Sequence, residues 1–201
     1  MIAVIDYGTG NLRSVQKAFE RVGADAQITQ NAEDIMRAEK IVLPGVGAIA
    51  PAMKRLRSLG LVEPIRDVIK RKRPFLGICL GLQLLFEKSE EGGSVKALSI
   101  FSGSVKKFQR LKVPHMGWNE IKITKADCPL FKGIDPTTDF YFCHSYFVDP
   151  EEKNIIATKT KYGREFTSSI WHNNVFAVQF HPEKSQEAGL KVLKNFCDLK
   201  I

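Results

Sequence analysis

Cysteine is scarce in this chain: four residues, Cys79, Cys128, Cys143 and Cys197, with no CxxC and no paired spacing. Neither a zinc site nor a disulfide framework is indicated. Long apolar runs are also missing. The longest, such as PFLGICLGLQLLF, are broken by glycines and fall short of the roughly 20 residues that a membrane span needs. The N-terminal MIAVIDYGTGN lacks the basic segment, apolar segment and small-residue cleavage site of an export signal. A cytoplasmic chain with reduced thiols and no membrane segment is expected. The net charge of +8 has no basic patch interleaved with aromatics behind it, so no nucleic-acid partner is expected. The densest run, Lys70 to Arg73, precedes an apolar strand and reads as the solvated C-terminal end of a helix. There is no internal repeat, low-complexity tract or linker. A chain of 201 residues, 44% hydrophobic, reads as a single domain with a full core.

What is present alternates. IAVIDY, DAQIT, KIVLP and PFLGI have the apolar, β-branched texture of buried strands. Between them lie amphipathic stretches near 11–22, with Asn11 as cap, near NAEDIMRA, with Asn31 as cap, and over 48–58 and 61–72. Strand and helix in turn imply parallel strands joined by right-handed crossovers. The expected fold is α/β, a mostly parallel doubly wound sheet flanked by helices. LQLLFEK reads as a further helix. Beyond it SGSVKKF, NEIKIT, DFYFCHSYFV, NIIATKT and SSIWHNNVFAVQF read as strands, the last run turning at His172-Asn173-Asn174. These additional antiparallel strands should extend or cover the same sheet. A helix from about Gln186 to Leu199 closes the chain.

Three short motifs could carry chemistry. Gly77-Ile78-Cys79-Leu80-Gly81 lies between a strand and a helical run, the context of a nucleophile elbow. Glycines relieve crowding at such a bend, and a thiolate on it faces the positive end of the next helix. The Leu80 amide is then free to donate to an oxyanion. Alone, GxCxG fits a small buried cysteine equally well. Gln179-Phe180-His181-Pro182-Glu183 ends a strand, so His181 and Glu183 can converge on a neighbouring elbow. His181 could move the thiol proton while Glu183 orients the imidazole; alone, the same residues fit a solvated surface loop. Pro44-Gly45-Val46-Gly47 could turn a second amide toward an oxyanion, or be a plain turn.

PGVG, GICLGLQLLFE and QFHPEKS, in that order over essentially the whole chain, together resemble the triad class of glutamine amidotransferase domains, whose sheet is flavodoxin-like. DYGTGNLRSV and VPHMGWNEI narrow the resemblance to the glutaminase subunits of imidazole glycerol phosphate synthase, of histidine biosynthesis. The resemblance implies a triad of Cys79, His181 and Glu183, with Val46 and Leu80 amides binding the oxyanion. It also implies glutamine contacts from Gln83, Gly47, Glu91 and the segment His144, Ser145 and Tyr146. His115, Met116, Trp118, Asn119, Tyr141 and Lys184 would lie near the synthase (cyclase) subunit of a heterodimer. No cofactor or metal is implied. By their own spacing His115, Met116, Trp118 and Asn119 read only as a packed turn, and His144 and His172 read as structural or surface residues.

The implied reaction is hydrolysis of glutamine to glutamate and ammonia through a glutamyl thioester on Cys79. Three alternatives stay open on the sequence: the subunit serving anthranilate or aminodeoxychorismate synthesis, against which PGVG and PHMGWN speak; a stand-alone cysteine γ-glutamyl hydrolase; and an inactive binding module on the same fold, against which the intact Cys79, His181 and Glu183 speak.

Overall fold

Four apolar segments, β1 (Ile2–Ile5), β2 (Ala26–Thr29), β3 (Lys40–Gly45) and β4 (Phe75–Cys79), alternate with α1 (Leu12–Arg21), α2 (Ala32–Arg37), α3 (Ile49–Ser58) and α4 (Val62–Lys70) in a computed structural model that describes residues 1–91 and 95–200. The short helix α5 (Leu80–Leu84) follows β4 without a break. Then come β5 (Phe86–Ser89), β6 (Val95–Lys96), β7 (Phe101–Lys107), β8 (His115–Glu120), β9 (Lys122–Ile123), β10 (Asp139–His144) and β11 (Tyr146–Pro150). The chain ends with β12 (Ile156–Tyr162), β13 (Arg164–His172), β14 (Val175–Val178) and α6 (Gln186–Cys197).

The main path of the large sheet runs β2-β1-β3-β4-β14-β13-β11-β7-β5-β6, with β12 and β9 attached beside β13. From β2 through β14 every pairing is parallel. β1, β3, β4 and β14 are buried along their whole length, which is why they read as continuous apolar runs rather than alternating ones. Successive residues divide between the two faces. Val4, Val42 and Leu76 pack with Val15 and Phe19 of α1 and Val192 and Phe196 of α6. Ile5, Ile41 and Phe75 pack with Met53 and Leu56 of α3 and Ile65 and Val68 of α4. Among the described residues no helix is long and apolar enough to cross a membrane.

Helix caps divide the two sequence expectations. Asn31 accepts from the Glu33 amide at 2.8 Å and caps α2, whereas Asn11 makes no side-chain cap bond to α1. The turn at His172 to Val175 joins β13 to β14, as expected.

Two elements differ from the sequence reading. The helix expected over LQLLFEK stops at Leu84, and Phe86–Ser89 is a strand. Its reason is tertiary: Leu85 accepts from the Ile100 and Phe101 amides, and β5 pairs in parallel with β7, a partner that lies outside the local sequence. The strand-rich half also does not all join one sheet. β8 and β10 form a separate antiparallel ribbon, with Trp118 opposite Tyr141 and His115 opposite His144.

Candidate active site

The carboxyl ends of β3, β4 and β14 lie side by side. Gly45 is opposite Cys79 in one pairing, and Val178 is opposite Ile78 in the other. In an open parallel sheet this edge is where ligands bind, and all three motifs sit on it.

Cys79 has φ 54° and ψ −104°, a conformation that a residue with a β-carbon adopts only at a cost of about 1–3 kcal/mol. Its neighbours explain how the bend fits. A β-carbon on Gly81 would lie 1.8 Å from the Leu43 carbonyl oxygen, and one on Gly77 would lie 2.9 Å from the Gly81 backbone. Only glycine lets β4 and α5 close so tightly against β3. The thiol that results is 5% exposed, donates to the Cys143 carbonyl at 3.9 Å and accepts from Gln179 Nε2 at 3.6 Å.

His181 follows β14 and is nearly buried. Its Nδ1 lies 2.8 Å from Glu183 Oε1, with both side chains almost wholly out of solvent. Burial is the largest influence on the imidazole and opposes its charge. The charge and hydrogen bonding of Cys79 and then of Glu183 together outweigh it, so the ring's pKa is pushed up to about 10. Glu183 Oε2 is buried without a partner, so the carboxylate depends on His181 for compensation. A nucleophile, a base near enough to feel its charge and a carboxylate orienting the base have thus been brought together.

A cavity of about 420 Å³ opens over the thiol, lined by Val46, Gly47, Leu80, Gln83, Glu91 and the segment Cys143 to Tyr146, among others. Val46 and Leu80, the expected oxyanion donors, both reach it. Leu80 starts α5, so its amide is one that no carbonyl within the helix accepts. Gly47 has φ +88°, and a β-carbon there would meet nothing within 4 Å; the backbone conformation, not space, calls for glycine.

Residues 3–199 match the glutamine amidotransferase class-I family. The chain belongs to that family.

Similar proteins sharpen the placement within the class-I amidotransferases. The chain is 51% identical to "Imidazole glycerol phosphate synthase subunit HisH" of Syntrophotalea carbinolica, covering 99% of this chain and 100% of that one. It is 53% identical to the subunit of the same name from Methanocaldococcus jannaschii, again over 99% and 100%. Among solved structures, PurLQS from Thermotoga maritima superposes with a TM-score of 0.76 at 16% identity, over 98% of this chain and 97% of that one. This likeness bears on fold alone. It agrees with the doubly wound α/β sheet described above.

The other residues expected at the site make the following contacts. Gln83, assigned to glutamine, donates from Nε2 to the Tyr146 carbonyl at 3.0 Å and to Gln179 Oε1 at 3.1 Å, leaving its carbonyl oxygen for a ligand. Glu91 accepts from the Ile49 amide at 2.8 Å and so caps α3, which has no N-cap side chain of its own. Asn119 turns inward to His115 Nε2 and the Lys161 carbonyl, whereas Trp118 is 47% exposed. The Trp118 and Tyr141 rings stand edge to face at 6.0 Å, and Lys184 Nζ sits 5.7 Å from the Tyr141 ring. His144, read as structural, is buried on the cavity wall. His172 packs edge-on against Phe101, away from the motifs.

Gln179 was missed. It is fully buried and bridges Gln83 and the thiol. Its signal was there: one amide side chain in the apolar run VFAVQF, at a position where burial demands a polar partner.

Proposed function

We propose that this chain is the glutaminase subunit of imidazole glycerol phosphate synthase, a single amidotransferase domain that supplies ammonia to a cyclase subunit in histidine biosynthesis. The chemistry follows from the residues around the cavity. Cys79 Sγ attacks the side-chain amide carbon of glutamine, and Leu80 and Val46 amides receive the oxyanion. His181, oriented by Glu183, protonates the departing ammonia, leaving a glutamyl thioester. Water activated by the same histidine then releases glutamate. The observation that carries this reading is the meeting of Cys79, His181 and Glu183 beneath one cavity at the strand ends, in a chain about half identical to HisH subunits over its full length.

Ammonia is inert as a nucleophile once protonated, so delivery to a bound partner is chemically economical. Exposed Met116 and Trp118 on β8, Val113 before it and Val46 on the cavity rim give that cyclase subunit an apolar surface to cover. A glycine-flanked loop beside the site also suits regulation: loss of one oxyanion donor costs roughly 100- to 1000-fold in rate. The isolated subunit is therefore a poor glutaminase until the partner and its nucleotide ligand favour an inward Val46 amide.

The test is glutamine turnover by this chain with and without a histidine-pathway cyclase subunit and its nucleotide substrate. Turnover that rises only with both, with Cys79→Ala abolishing glutamine-dependent but not ammonia-dependent synthesis, is the expected result. High turnover by the chain alone, unchanged by the partner, would favour a stand-alone hydrolase. Equal loss of both syntheses in Cys79→Ala would make Cys79 structural.

A further inference from the structure

Behind the cavity wall two buried histidines meet. His115 Nδ1 lies 2.9 Å from His144 Nε2. Such a contact needs one donor and one acceptor, and the surroundings decide which is which. At one end, Asn119 Oδ1 accepts from the Glu120 amide at 2.9 Å, so the atom facing His115 Nε2 at 3.1 Å is Nδ2, a donor. His115 Nε2 therefore accepts and its proton is on Nδ1. At the other end, His144 Nδ1 lies 2.8 Å from the Tyr146 carbonyl, which can only accept. His144 therefore carries its proton on Nδ1 and accepts at Nε2. The two ends independently require the same pair of tautomers.

Both rings are held in place. His115 is stacked between Tyr162 at 4.1 Å and Phe142 at 4.9 Å, and His144 packs against Phe108 and Phe166. Burial drives their pKa values down to about 4 for His115 and about 3 for His144, where nearby His115 and His181 further oppose a charge. Protonating His144 would leave the contact between the rings without an acceptor, and protonating His115 would set its Nε2–H against the Asn119 Nδ2 donor.

The Tyr146 carbonyl that ends this chain also accepts from Gln83, which donates on to Gln179, which donates to Cys79 Sγ. Hydrogen bonds thus run without a gap from Asn119 on β8 to the reactive sulfur. The donor direction reverses at Tyr146, so the chain holds atoms in place and does not conduct a proton.

We propose that His115 and His144 are positioning residues: their hydrogen-bonded pair ties β8 to the Tyr146 carbonyl and thereby fixes Gln83 and Gln179 beside Cys79. This rests on reading the cavity as a glutamine site. Met116 and Trp118 point outward from the strand whose inner face carries His115 and Asn119, so the pair stands between the proposed partner surface and the substrate wall.

Two measurements on the full chain test it. Two-bond proton–nitrogen spectra of the histidine-labelled protein at neutral pH should show His115 and His144 both neutral with the proton on Nδ1. In Asn119→Ala, which removes the donor to His115 Nε2, the His144 end alone should keep the proton on His115 Nδ1, while the His115 Nε2 resonance shifts with the loss of its donor. A charged ring, an Nε2–H tautomer in the wild type or in Asn119→Ala, or a His115 Nε2 resonance unmoved by Asn119→Ala would overturn the proposal. In the complex with the cyclase subunit, His115→Leu should raise KM for glutamine about tenfold, the loss of roughly one buried hydrogen bond, with little change in kcat. His115→Asn, which keeps a donor at the Nδ1 position, should restore most of it. A folded His115→Leu with wild-type KM, or an Asn variant no better than Leu, would also overturn it. Wild-type turnover is measured alongside: its absence would count against the glutaminase reading, while the tautomer spectra judge the histidine pair separately.

Discussion

Gly81 sits so close beneath β3 that a β-carbon on it would lie 1.8 Å from the Leu43 carbonyl oxygen. Backbone cannot yield there as a flexible side chain could, and the contact lies inside the bend that presents Cys79. Gly81→Ala is expected to cost about 3 kcal/mol in denaturant unfolding, at the upper end for an overpacked site. A variant as stable as wild type would mean that the elbow has slack which the contact denies.

His181 supplies a pH dependence. Its pKa is raised from an ordinary 6.5 to about 10. A folded value above the unfolded one means that the charged ring contributes stability that is complete below pH 6.5 and lost as pH rises through about 10. Over that window the wild type should lose more stability than His181→Asn. Cys79→Ala removes the strongest of the raising influences, so the His181 midpoint followed by nuclear magnetic resonance should fall. A midpoint unmoved by Cys79→Ala would separate the two side chains functionally.

Gln179 donates to the Cys79 sulfur, and an N–H aimed at sulfur stabilises its anionic form. Gln179→Leu should slow alkylation of Cys79 by iodoacetamide at neutral pH. It should also cost about 1–3 kcal/mol of stability, because Gln83 Nε2 loses a buried acceptor. Unaltered alkylation in a folded variant would reduce Gln179 to a packing role.

Trp118, half exposed beside Tyr141, should behave as an anchor for the cyclase subunit. Trp118→Ala is expected to weaken the heterodimer by about 2 kcal/mol or more, the scale of an aromatic hot spot. The isolated chain should change by no more than about 0.5 kcal/mol, as surface substitutions do. Titration calorimetry and thermal melts separate the two.

The sequence was most legible where local pattern and tertiary role agree. The buried strands, the glycine-flanked cysteine and the QFHPE strand end could be read because each carries its constraint within a few residues. β5 could not, because Phe86–Ser89 become a strand only by pairing with β7. Glu91 as a cap for α3 and the pairing of His115 with His144 join residues 42 and 29 positions apart, so no spacing rule announces them. Gln83 was placed at the site, but its two amide contacts depend on Gln179 and on the backbone of β11, which meet it only in the folded sheet.

The Glu91 contact has a mechanical consequence for the loop that precedes α3. Gly45 is clamped by its pairing opposite Cys79, and Ile49 is pinned by the Glu91 carboxylate. Val46, Gly47 and Ala48 span the interval between these two bearings. Under the proposed regulation a segment so mounted would turn like a crank, its peptide planes rotating between two fixed journals, and the amide at Val46 would change its heading without the sheet or the helix having to travel.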